Sequence, residues 1–131
     1  MSYVWIFLGG GLGTIARFAG CGVVARLFGE TFPWGTLLVN VSGSFIIGFF
    51  AALTETQDRG LIGSSARQFV MIGLCGGYTT FSSFSLQTLS LARNGEWFKA
   101  GANAVLSFGL CMIAVWLGHL LASNLNSSKG I

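Results

Sequence analysis

Charged side chains are nearly absent from four long stretches of this chain, and their absence constrains the fold more than any motif does. Trp34 to Leu53, Gln68 to Ala92 and Ala100 to Ala122 contain no Asp, Glu, Lys or Arg, and Tyr3 to Ala25 contains only Arg17. The hydrocarbon core of a bilayer is about 30 Å thick and takes roughly 20 apolar residues to cross as a helix, a length each stretch meets. With 8% charged residues and a mean hydropathy of +0.73, the chain has too few charges to clothe a soluble globule, which is roughly one-quarter charged. The sequence predicts an all-α integral membrane protein. It forms a single membrane domain over residues 1–131, with four transmembrane helices at 3–27, 33–54, 68–92 and 98–122.

Flanking residues support these limits. Trp5, Trp34 and Trp97 sit near span ends, where an amphipathic ring prefers the headgroup region. Pro33 suits the opening turn of the second helix, and the polar tail after Ala122 is expected to fray. The start Met1-Ser2-Tyr3-Val4-Trp5 lacks the basic region of a secretory leader, so the first span is expected to be retained. Cys21, Cys75 and Cys111 all fall inside spans and read as small packing residues. The seven basic residues are scattered singly, all but Arg17 at helix ends. They form no stripe that could follow phosphates, which argues against nucleic acid as a partner.

The excess of Lys and Arg normally marks the cytoplasmic side. Here Arg59, Arg67 and Lys129 fall on one side, and Arg26, Arg93 and Lys99 on the other. A three-against-three balance gives the inserting chain almost no instruction about which way to face. The expectation is dual topology and an antiparallel homodimer, a closed two-fold assembly whose axis lies in the membrane plane.

The third span carries Gly76-Gly77-Tyr78-Thr79-Thr80, where glycine and β-branched residues weaken a helix. A helix broken near its middle is expected; the rival reading is a regular helix whose glycines only allow close packing. Backbone released at membrane depth must be buried in protein or line a polar cavity. Gly11-Leu12-Gly13-Thr14-Ile15-Ala16 fits a loose dinucleotide pattern, but no strand precedes it and no acidic residue follows at the required distance. Glycines at 9 and 13, and at 73 and 77, instead give the spacing that lets membrane helices approach closely.

Polar residues inside the spans are the candidate functional set. Arg17 costs about 2.5 to 3.5 kcal/mol to centre in a bilayer. It is either a positive lure in a water-filled vestibule or a snorkelling contact to headgroups. Thr36, Asn40 and Ser44 share one helical face, as do Asn103 and Ser107, and each stripe suits either helix-to-helix hydrogen bonding or an ion path. In Thr79-Thr80-Phe81-Ser82-Ser83-Phe84-Ser85, hydroxyls alternate with two phenylalanines whose positive ring edges can receive an anion while excluding water. Phe81 and Phe84 also suit plain packing. His119 has no paired acid and reads as interfacial. No nucleophilic, metal-assisted or paired-carboxylate set stands out, so an enzyme is not expected.

These residues resemble the Fluc (CrcB) family of bacterial fluoride channels. The resemblance is carried by Gly9-Gly10-Gly11-Leu12-Gly13-Thr14-Ile15-Ala16-Arg17, by Gly35-Thr36-Leu37-Leu38-Val39-Asn40-Val41-Ser42-Gly43-Ser44, and by Gly73-Leu74-Cys75-Gly76-Gly77-Tyr78-Thr79-Thr80-Phe81-Ser82-Ser83-Phe84, in that order. It implies an antiparallel dual-topology homodimer in the bacterial inner membrane with two separate pores. Phe81 and Phe84 correspond to the family's paired pore phenylalanines and Asn40 to its second-helix asparagine. Arg17 lies by a vestibule, and Ser107 with Asn103 stands for its fourth-helix polar track. Thr80 and Ser83 join the ion pathway as hydroxyls; Ser83 stands where many members have threonine, and Tyr78 where many have another large apolar residue. The resemblance also implies a structural Na+ at the dimer centre, held by the backbone carbonyls of Gly76 and Thr79 from both subunits.

The function so implied is passive, fluoride-selective export that relieves toxicity, with membrane lipid and a second copy of the chain as the other partners. Fluoride is strongly hydrated, and hydroxyls with ring edges are plausible substitutes for its water. Two alternatives stand beside it. A small proton-coupled multidrug exporter needs a membrane-embedded acid, and no span carries one. A non-transporting assembly subunit would use the glycine contacts and leave Arg17 and the hydroxyl stripes without a use.

Overall fold

The structure, a computed structural model, describes residues 1–55 and 63–129. Helix α1 (Ser2–Phe28) ends at Gly29, whose φ of 81° lies where a side chain would be strained. Helix α2 (Trp34–Glu55) starts after Pro33, whose carbonyl accepts from the Leu37 N–H at 3.1 Å. Proline costs nothing at this point, because a helix start has no carbonyl to offer the N–H it lacks. Arg59, one of the two basic residues of the middle loop, lies outside the described residues.

The third span is built from unlike pieces: α3 (Ser64–Arg67), a π-helical stretch (Gln68–Leu74), α4 (Cys75–Tyr78) and, after two extended residues, α5 (Phe81–Arg93). Thr79 has φ −86° and ψ 157°, and Thr80 has φ −152° and ψ 114°. Helix α6 (Trp97–Lys129) follows a turn at Gly95 with φ 80°. Among the described residues, four helical spans are long and apolar enough to cross a membrane: Ser2–Phe28, Trp34–Glu55, Ser64–Arg93 and Trp97–Ser127.

Helices α2 and α6 make the most extensive packing in the molecule. Glycines set its closeness: a Cβ on Gly48 would strike the Val115 carbonyl, and one on Gly118 the Phe45 carbonyl. The same device joins α1 to the third span. A Cβ on Gly9 would strike the Phe69 carbonyl, one on Gly13 the Leu74 carbonyl, and one on Gly77 the Gly10 carbonyl. The glycine pairs at 9/13 and 73/77 therefore lie backbone to backbone, the close approach their spacing predicts. Large side chains outside these seams stay exposed, with Phe18 at 82%, as a lipid-facing surface requires.

Two expectations are corrected. The tail beyond Ala122 is helical to Lys129 instead of frayed, because Ala122 is fully buried and Asn126 Nδ2 donates to the Ala52 carbonyl at 2.9 Å. His119 does have an acid beside it: its Nε2 lies 3.5 Å from Glu55 Oε2, a partner that sequence separation hid. Both side chains are at least half exposed, so the pair is an end-of-helix contact worth about 0–1 kcal/mol.

Candidate functional site

The extended pair between α4 and α5 breaks the helical ladder, and side chains from α1 and α2 take up what it releases. An uninterrupted helix would give the Thr80 N–H to the Gly76 carbonyl. Here that N–H goes to Asn40 Oδ1 at 2.7 Å, while Asn40 Nδ2 donates to the Thr80 carbonyl at 3.0 Å. One carboxamide thus satisfies both polar groups of an extended residue, as a neighbouring β-strand would. The pairing also fixes which end of the amide is oxygen, since an N–H must meet an acceptor.

Thr80 then starts α5: its Oγ1 accepts from the Ser83 N–H at 3.1 Å, the usual service of a threonine before a helix. Thr79 folds its hydroxyl back onto the Cys75 carbonyl at 2.8 Å. On the other side of the interruption, Arg17 Nε donates to the Gly77 carbonyl at 3.1 Å. Ser42 Oγ gives its hydrogen to the Val39 carbonyl at 3.1 Å, so in the 2.9 Å contact between Tyr78 and Ser42 the phenol is the donor. Gly43 makes room for this junction, because a Cβ there would strike the Thr79 methyl group.

Beside the interruption opens a groove of about 550 Å³. Asn40, Gly76, Thr79, Thr80, Phe81, Phe84 and Ser107 all line it, with Ser44 and Phe108. The two phenylalanines, three residues apart on α5, present one aromatic surface: ring centroids lie 5.3 Å apart and the planes 47° apart. Phe81 is 78% exposed, an unusual state for a ring on a lining wall.

Ser83 and Asn103 are not among the lining residues. Asn103 is 1% exposed, and its Nδ2 donates to Thr88 Oγ1 at 2.9 Å while its Oδ1 accepts from Ser107 Oγ at 3.3 Å. Thr88 in turn donates to the Phe84 carbonyl at 2.7 Å. Asn103 therefore ties α6 to α5 beneath Phe84 and Ser107. Thr36, first of the α2 stripe, is buried and borders a second cavity of about 680 Å³ on the side of the first and third loops. Sequence reasoning missed Thr88 and Ser42; Thr88 lies one turn beyond Phe84, and that periodicity was the available signal.

The Gly76 and Thr79 carbonyls can be tested as cation ligands. In an unbroken helix they would accept from the Thr80 and Ser83 N–H groups, both of which are given elsewhere. Both residues line the groove. Unwound backbone carbonyls at membrane depth are the donor type that alkali cations take, so the residues present fit a sodium ion.

Four membrane-length helical spans and a chain interrupted beside a largely apolar groove, into which a few hydroxyls, an amide and two rings are set, define a small polytopic membrane protein. The chain belongs to the CrcB family: residues 4–119 match the family model described as "CrcB-like protein, Camphor Resistance (CrcB)". It is 62% identical over 128 residues to a protein of Opitutus terrae, covering 98% of this chain and 97% of that one. A protein of Methylocella silvestris is 59% identical over 130 residues, covering 99% of each chain. One from Rhodospirillum rubrum is 52% identical over 126, covering 96% of this chain and 98% of the relative. All three carry the name fluoride-specific ion channel FluC.

Proposed function

We infer that this chain is a passive, fluoride-selective channel of the bacterial inner membrane and not an enzyme. The observation that carries the reading is the groove at the interrupted third span, lined by paired phenylalanines and by Ser107, in a chain 62% identical to a fluoride-specific channel. Fluoride loses part of its hydration as it passes. The donors that replace water are the Thr80 hydroxyl, the Asn40 amide hydrogen not given to Thr80 and the edges of Phe81 and Phe84; Ser107 joins them by turning its hydroxyl away from Asn103 Oδ1, with Ser83 and Asn103 holding the wall. Outside acid drives fluoride in as neutral HF, which dissociates in the cytoplasm; flow of the anion down its gradient relieves the load. No span carries an acid for proton exchange, which disfavours the multidrug-exporter reading.

The working unit is an antiparallel, dual-topology homodimer with two pores. Two observations support it: the balanced charges, and an open groove with carbonyls freed at Gly76 and Thr79, which cannot face lipid without a cost of several kcal/mol each. The break in the third span is where the copies meet, and those carbonyls hold a structural Na+ there. A Na+ there would be held by the Gly76 and Thr79 carbonyls of both copies and would supply the positive charge that offsets their mutual repulsion.

Fluoride efflux from liposomes holding only purified protein, read with a fluoride electrode beside a chloride control, tests this. Fast fluoride and little chloride efflux is expected, with flux lost in Phe81→Ile, which exchanges the ring edge for an alkyl group. Absence of fluoride flux from folded wild-type dimers would move the reading to an assembly subunit.

A further inference from the structure

We propose that Arg17 is a positioning residue for the interrupted span, acting through its Nε–H on the Gly77 carbonyl and not as a charge that lures anions. The inference rests on the reading that the interruption belongs to the pore. In a continuous helix the Gly77 carbonyl would accept from the Phe81 N–H. The extended backbone at Thr79 and Thr80 ends that register, and α5 begins at Phe81. Arg17 Nε takes the vacated place at 3.1 Å.

The location follows from the α1 seam. Gly9, Gly13 and Arg17 recur every four residues and share one face. The two glycines press that face onto the third span's backbone, at Phe69 and Gly73 and then at Leu74 and Tyr78. Arg17 comes next on the face, where the span's helix stops. A cation at the carbonyl end of a helical run is also favoured by the backbone dipoles. With Asn40 bonding Thr80 and Tyr78 bonding Ser42, the extended pair and the residues just before it are tethered to α1 and α2.

Replacements separate bond from charge. Glutamine Nε2 stands as many bonds from Cα as arginine Nε, so Arg17→Gln keeps a donor at that reach and removes the charge. Arg17→Lys keeps the charge but puts a methylene there, and Arg17→Met places a methyl there with neither. Fluoride efflux from liposomes is expected to stay within about threefold of wild type in Arg17→Gln and to fall about tenfold or more in Arg17→Met, the factor one hydrogen bond of this kind represents. Arg17→Lys is expected to fall below Arg17→Gln. Lysine matching or exceeding glutamine, methionine matching glutamine, or a glutamine variant that does not fold would each overturn the proposal. Amide hydrogen exchange over residues 77–83 in detergent supplies a reading without flux: rates should change severalfold in Arg17→Met and hold in Arg17→Gln. A wild type without flux would sink the channel reading, while exchange would still decide whether Arg17 holds the backbone.

Discussion

Asn40 is the residue on which the interruption most depends, since its two bonds to Thr80 replace a whole strand edge. Asn40→Ala leaves the Thr80 N–H and carbonyl without partners in a site poor in water. A loss of about 2–4 kcal/mol is expected in unfolding of the detergent-solubilised protein, with fluoride flux lost alongside. Asn40→Asp keeps the acceptor for the Thr80 N–H but not the donor to its carbonyl, and adds a negative charge on an anion's path. It should retain more stability than the alanine variant while conducting as poorly. That a polar residue at this place shares a face with Thr36 and Ser44 could be read from the α2 stripe. That both ends of its amide serve a single residue 40 positions away could not, because nothing local encodes the pairing.

At the scale of elements, the seams between helices are set by missing side chains. On α1, Gly13 faces the third span, where a Cβ would strike the Leu74 carbonyl and lie 2.9 Å from the Tyr78 nitrogen, while Gly10 would meet nothing within 4 Å. Gly13→Ala should therefore destabilise by about 1–3 kcal/mol, the range for overpacking. Gly10→Ala should leave thermal unfolding unchanged or raise stability by up to about 1 kcal/mol, the helical preference of alanine over glycine. Equal effects of the two substitutions would remove the backbone seam as the cause. Because the same seam delivers Arg17 to Gly77, Gly13→Ala should also reduce flux.

For the molecule as a whole, the proposed antiparallel pairing predicts that a few end charges set orientation. Replacing Arg26 and Lys99 by glutamine leaves Arg93 alone against Arg59, Arg67 and Lys129. Such a chain should insert one way only, as read by reporters fused to its C-terminus, and lose most of its flux for want of an oppositely facing partner. Co-expression with a chain biased the other way, Arg59→Gln with Arg67→Gln, should restore it; a single-orientation chain conducting at full rate would exclude the antiparallel dimer. The four spans and the polar residues within them were legible in the sequence, since crossing hydrocarbon demands long uncharged runs and makes every polar exception conspicuous. Spacing likewise marked the glycine seams and the shared face of Phe81 and Phe84. Only the tertiary structure decided that Arg17 reaches Gly77, that Asn103 is buried behind Ser107, and that α6 stays helical past Ala122. Each of these depends on which polar groups a neighbouring helix presents, and that is fixed by packing between helices rather than by local sequence.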